Sequence, residues 1–148
     1  MTKAIATVLA TGLMFNLCVQ ELRAQDKAAA DQLDKKADTL NAAAKKSGKM
    51  TGAYQCIATE TGVPLDRVEK LHKDNPEVGP AGLLLAFALA GETKRPASHF
   101  VESRTSGKSW GAIAHDNKVS IEKLNQHLDH VTTCITSAPA KAEPKEKK

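Results

Sequence analysis

The sequence predicts an all-α fold: a compact bundle of about six short helices in which two helix-turn-helix-like repeats flank a central apolar helix. Three observations predict it. From Ile121 the apolar residues Leu124, Leu128, Val131 and Ile135 follow at spacings of 3, 4, 3 and 4, which is one face of a helix. Residues 54–72 repeat the pattern of 110–128 at a constant offset of 56, with Tyr54 on Trp110, Ile57 on Ile113, Ala58 on Ala114, Val63 on Val119, Leu65 on Ile121 and Val68 on Leu124. Between the two copies, the run Ala81 to Ala90 is apolar on every side, so it cannot face water, and it is too short to span a bilayer.

Met1 to Lys3 is a short basic start, Ala4 to Val19 is largely apolar, and no acidic residue precedes Glu21. Ala24 suits the small residue before a cleavage site, so residues 1–24 read as a secretory signal peptide. The alternative is a retained membrane anchor. Lipidation at Cys18 is disfavoured because Phe15, Asn16 and Leu17 are not the small residues such a site requires. No later stretch is long enough to cross a bilayer, and a periplasmic or secreted location is expected. The mature chain carries a formal charge of +3, of which the tail from Lys141 contributes +2. The basic pI therefore says little about a nucleic-acid surface.

Residues 25–50 are rich in Ala, Lys and Asp, a composition that favours helix. From Gln25 to Lys46, Leu33 and Leu40 are the only large apolar residues, with Ala37 and Ala44 on nearby faces. So thin a stripe predicts a helix loosely attached to the domain and partly solvated, or a partner-binding arm.

The folded domain is expected over residues 51–136. In the first repeat Gly62 suits a left-handed turn and Pro64 the first turn of the next helix. Asn75-Pro76 and Gly79-Pro80 bracket a loop, and Pro80 opens the apolar helix. Pro96 starts a short helix with Phe100 and Val101 that ends before Ser106-Gly107. The second repeat turns at Asp116, Asn117 and Lys118, and its long helix begins near Ser120. Leu84, Phe87, Ile113, Val119, Leu124 and Leu128 are expected to be deeply buried. The Ala-, Pro- and Lys-rich tail, residues 137–148, is expected to be disordered.

An Ile-Ala near the end of one helix followed by a Val after a polar turn resembles the helix-turn-helix signature. The run from Leu83 through Ser109, Trp110, Gly111, Ile113, Ala114 and Val119 to Leu128 also resembles a family of small exported bacterial proteins of unassigned activity. The resemblance implies a fold class and no chemistry, so it supplies no catalytic residues.

Aromatic residues make up only 3% of the chain, so the core must be mainly aliphatic and a cross-link would help a domain of this size. The mature chain has two cysteines, Cys56 and Cys134, which an exported context allows to pair. The alternative is two separate small core residues. There is no Cys-x-x-Cys pair to suggest redox catalysis.

Other motifs carry less. Gly107-Lys108-Ser109 looks like the end of a phosphate-binding loop, but Glu102 occupies the place of the required glycine. No serine has the strand-turn-helix setting of a nucleophile. His127, His130 and Cys134 share one side of the last helix and His115 lies on the helix before it, a set able to ligate zinc or copper. Solvent-facing histidines beside an oxidised Cys134 are the plainer reading, and no cofactor is expected. The surface expected to meet DNA would carry Ser120, Glu122, Lys123 and Gln126, or Asp66, Arg67 and Glu69 in the first copy, and its acidic groups would repel phosphates. The sequence thus favours a non-enzymatic exported module acting on an unknown envelope or extracellular protein, or through self-association. Its competitor is an envelope metal-binding or stress protein using the His/Cys cluster.

Overall fold

A computed structural model describes residues 11–48 and 50–137, with side chains from Lys27 onward apart from Ser47. Residues 1–10, Lys49, the side chains of residues 11–26 and residues 138–148 lie outside the described residues, as do the expectations of a signal peptide and a disordered tail placed on them. The expected all-α class is observed: among the described residues there are seven helices and no strand. They are α1 (Thr11–Ser47), α2 (Met50–Thr61), α3 (Leu65–Asp74), α4 (Pro80–Thr93), α5 (Ala97–Thr105), α6 (Trp110–Asp116) and α7 (Ile121–Ser137).

Helix α4 lies at the centre because it has no polar face to offer water. Pro80 stands at its first position, and Leu83, Leu84, Leu85 and Leu89 are completely buried against α1, α2, α5 and α7. Phe87 departs from expectation. It is only partly buried, because the short helix α3 covers that side of α4 incompletely and leaves Phe87 in a shallow notch with Leu71 and Ala97.

The two helix-turn-helix-like units, α2–α3 and α6–α7, share burial position by position. Tyr54, Ile57, Ala58 and Val68 are buried, as are Trp110, Ile113, Ala114 and Leu124. Val63 and Leu65 are half-buried, and so are Val119 and Ile121, which corrects the deep burial expected of Val119. The turns also match. Gly62 has φ +67° and Lys118, at the offset of 56, has φ +56°. Downstream, Lys118 N donates to His115 O and Val119 N to Ala114 O, the paired closure of a Schellman end. Such an end brings Val119 back beside Ala114, at the elbow of the unit rather than in its interior. Ser109 caps α6 by accepting from Ala112 N at 3.1 Å.

The N-terminal helix is not loosely attached. Leu33, Leu40 and Ala44 are fully buried and Ala37 is 4% exposed, and α7 is the principal neighbour of α1. Two further features account for the difference. The alanines keep the stripe low enough for close approach, most closely where Ala30 crosses Gly111: a Cβ at Gly111 would overlap Ala30. Helix α1 also closes two other helices, since Asp34 Oδ1 accepts from Trp110 N at 3.2 Å and Asn41 Oδ1 accepts from Ala81 N at 2.9 Å. These bonds satisfy amides that α6 and α4 leave free in their first turns. Lys36 reaches Asp129 of α7 at 2.6 Å and Arg104 of α5 approaches Asp34 at 3.6 Å. Both pairs are partly exposed and add little.

Candidate functional site

The site residues anticipated from sequence divide between two places, one where α2 meets α7 and one where α1 meets the α6–α7 elbow. In the first, Cys56 and Cys134 form a disulfide with Cα atoms 6.1 Å apart. Cys56 is buried, whereas Cys134 faces outward. One turn further along α2, Glu60 Oε1 receives both histidines of α7: His127 Nδ1 at 2.7 Å and His130 Nδ1 at 3.1 Å. A carboxylate can only accept, so in this arrangement each Nδ1 carries the donated proton. Burial pushes the Glu60 carboxyl up, but hydrogen bonds and charge from His127 and His130 outweigh it, and the carboxyl sits below its ordinary value.

The residues of the alternative metal reading, His127, His130, His115 and Cys134, are not brought together in one place. His127 and His130 both direct Nδ1 to one oxygen of Glu60, Cys134 is consumed by the disulfide, and His115 lies on the rim of the other site. Among the described residues no group of three or more His, Cys, Asp or Glu side chains is arranged to hold a metal ion. Glu60 was not singled out from sequence, although a signal for it existed. If Cys56 pairs with Cys134 between antiparallel helices, the residue four after the first falls opposite the residue four before the second, which is Glu60 against His130.

The second place is a groove of about 920 Å³ between residues 27–32 of α1 and the elbow of α6–α7. Helix α1 lines it with Lys27, Ala30 and Asp31, and the α6–α7 elbow with Ala112, Lys118, Ile121 and Glu122. Polar and charged side chains outnumber the small apolar ones along it, and its volume is that of a cleft able to take a small ligand or a short peptide. Asn125 lines it. Only 7% exposed, Asn125 has an Oδ1 atom that is fully buried with no hydrogen-bond partner. Most buried polar atoms are paired, and an unpaired one costs about 1–3 kcal/mol. On the far rim Asp116 is held below the usual carboxylate range by a hydrogen bond and charge from Lys108, 2.9 Å away. Helical spacing alone does not single out Asn125. The available signal was the exchange, within the repeat, of a charged Glu69 for an amide amid the apolar stripe of α7.

Fold and sites together define a small all-helical protein whose crossing helices are tied by one disulfide and which carries an open groove at the elbow of one helical pair. No known family, curated protein or solved structure matches the chain. No helix among the described residues is long and apolar enough to cross a membrane.

Proposed function

We propose that this is an exported, non-enzymatic helical module, periplasmic or secreted, that works by holding an envelope or extracellular partner protein in the groove between α1 and the α6–α7 elbow. The groove itself carries the reading. It is a concavity of about 920 Å³ that opens to solvent beside an exposed Ala112. The disulfide supports export, since such bonds persist in oxidising compartments. The Glu60–His127–His130 group reads as a fastening between α2 and α7, because it sits one turn from the disulfide and joins the same two helices.

The test is site-specific photocrosslinking in the producing cells. A photoreactive residue at Ala112, exposed on the groove, is compared with one at Gln55, exposed on the other unit. A discrete protein adduct formed from Ala112 and absent from Gln55 is expected. No adduct, or the same adducts from both positions, would remove the groove as the working surface.

A further inference from the structure

We infer that the Cys56–Cys134 disulfide is an exchange site with a fixed direction: a small thiol enters at Cys134, is carried there as a mixed disulfide, and expels the sulfur of Cys56 into the interior. This modification site lies where α2 meets α7 and shares no residue with the groove. The two ends of the bond have different surroundings. Cys56 is 6% exposed and belongs to the core, as do Ala53, Ile57 and Ala58 of the same helix. Cys134 is exposed about one turn before the end of α7, and Thr133, Thr136 and Ser137 beside it are exposed too. A helix covers most of its own backbone with the turns on either side, so what Cys134 shows to solvent is chiefly side chain.

Exchange proceeds by attack of a thiolate on one sulfur of a disulfide, and access decides which sulfur is attacked. At Cys134 the incoming sulfur bonds to Sγ, the Sγ–Sγ bond breaks, and Cys56 leaves with the electron pair and takes a proton from solvent. One disulfide replaces another, so the thiol is the only co-reactant. Attack at Cys56 would require α2 and α7 to part first, because that sulfur belongs to a buried residue. The approach to Cys134 is not opposed by charge on its own helix, since residues 130–137 include no carboxylate, and Glu60 on the facing helix is taken up by two histidines. After opening, the helices remain held. Ile57, Leu128 and Val131 are buried in the common core, and Glu60 receives His127 at 2.7 Å and His130 at 3.1 Å without help from the disulfide. Cys56 therefore stays beside Cys134 and can return, which releases the small thiol and restores the link.

The probe is reduced glutathione, added to the full oxidised chain in native buffer. Exchange is stopped with excess N-ethylmaleimide, and both labels are mapped by peptide mass spectrometry, so that anything on Cys18 is read from its own peptide. Glutathione on Cys134 with maleimide on Cys56 should exceed the reverse pattern by about tenfold or more. Comparable amounts of the two patterns, or opening only in denaturant, would show that exchange runs through the unfolded chain and would overturn the inference. A second measurement does not depend on trapping the mixed disulfide before it closes. In Cys56→Ser and Cys134→Ser, each shown by circular dichroism to be folded, the thiol left at Cys134 should react with dithiobis-nitrobenzoate about tenfold or more faster than the thiol left at Cys56, and the two rates should converge in denaturant. Equal rates in the folded variants would also overturn it.

Discussion

The two helix-turn-helix-like units have the same interior and different exteriors. Inside, Tyr54, Ile57, Ala58 and Val68 take the places of Trp110, Ile113, Ala114 and Leu124, and all are buried. Outside, the residues diverge where α1 lies. Gly111 faces Ala30, while its counterpart Gln55 is exposed. Asn125 and Leu128 are buried, while Glu69 is exposed and His72 only half-buried. The second helix of the downstream unit also runs for 17 residues against 10 upstream and buries five side chains where α3 buries Val68 alone. One helical pattern can therefore be used twice, once as a free-standing corner and once as the seat of another helix. The change of use needs only the removal of a side chain at the crossing and of charges along the stripe.

The largest effect should come from breaking the shared interior. Leu124→Asp, and equally Val68→Asp, places an unpaired charge at a fully buried position and should cost on the order of 4 kcal/mol or more, abolishing cooperative thermal unfolding by circular dichroism. Survival of α6–α7 helicity and a melting transition in Val68→Asp would mean that the two units fold separately. Next comes the tie between the units. Replacing both Cys56 and Cys134 by serine opens a loop closed over a separation of 78 residues and should lower stability by about 4 kcal/mol in chemical denaturation.

Exchanging the outer residues sharpens the contrast. Gly111→Gln should displace α1 at a cost of about 1–3 kcal/mol and raise amide exchange along Leu33 to Ala44, because the added side chain collides with Ala30. The reverse change, Gln55→Gly, should cost only about 1 kcal/mol of helix propensity and leave α1 exchange unaltered. At the turns, Lys118→Gly should stabilise by about 1 kcal/mol and Gly62→Lys should destabilise by a similar amount, since both positions are left-handed. Denaturation midpoints would read both.

The smallest effect is the pH dependence at Glu60. Its carboxyl titrates below the ordinary value when folded, so its contribution is present above the ordinary pKa of about 4.3 and is lost as pH falls through the lower folded value. Glu60→Gln should therefore flatten the acid limb of a stability–pH profile, below the ordinary carboxylate value, by under about 1 kcal/mol because His130 is largely exposed. An unchanged acid limb would show that the two histidines do not fasten α2 to α7.

Much of this molecule was legible because helical periodicity is local. The 3-4 spacing from Ile121, the apolar ring of Leu83 to Leu89, the left-handed Gly62 and the prolines at or just before helix starts each constrain only their own neighbours, and each reads directly into α2 to α7. The cysteine pair was legible as a possibility, since Cys56 and Cys134 are the only cysteines after Cys18 and the folded register brings them together. The attachment of α1 was not. Two leucines and a few alanines define a weak stripe in isolation, and their burial depends on a glycine some eighty residues away that lets the helices touch, and on the free amides of α4 and α6 that Asn41 and Asp34 complete. The partners of the histidines were not legible for the same reason. Spacing places His127, His130 and Cys134 on one side of a helix, but what each one meets is decided by the helix across from it, which supplies Glu60 to two of them and Cys56 to the third. The sequence by itself determined which residues form helices and which faces must be hidden from water, because both depend on neighbours within a turn or two. Only the tertiary structure decided which helix covers which face, and with it where the groove opens, because that depends on side-chain size and hydrogen-bonding capacity at contacts between residues far apart in the chain.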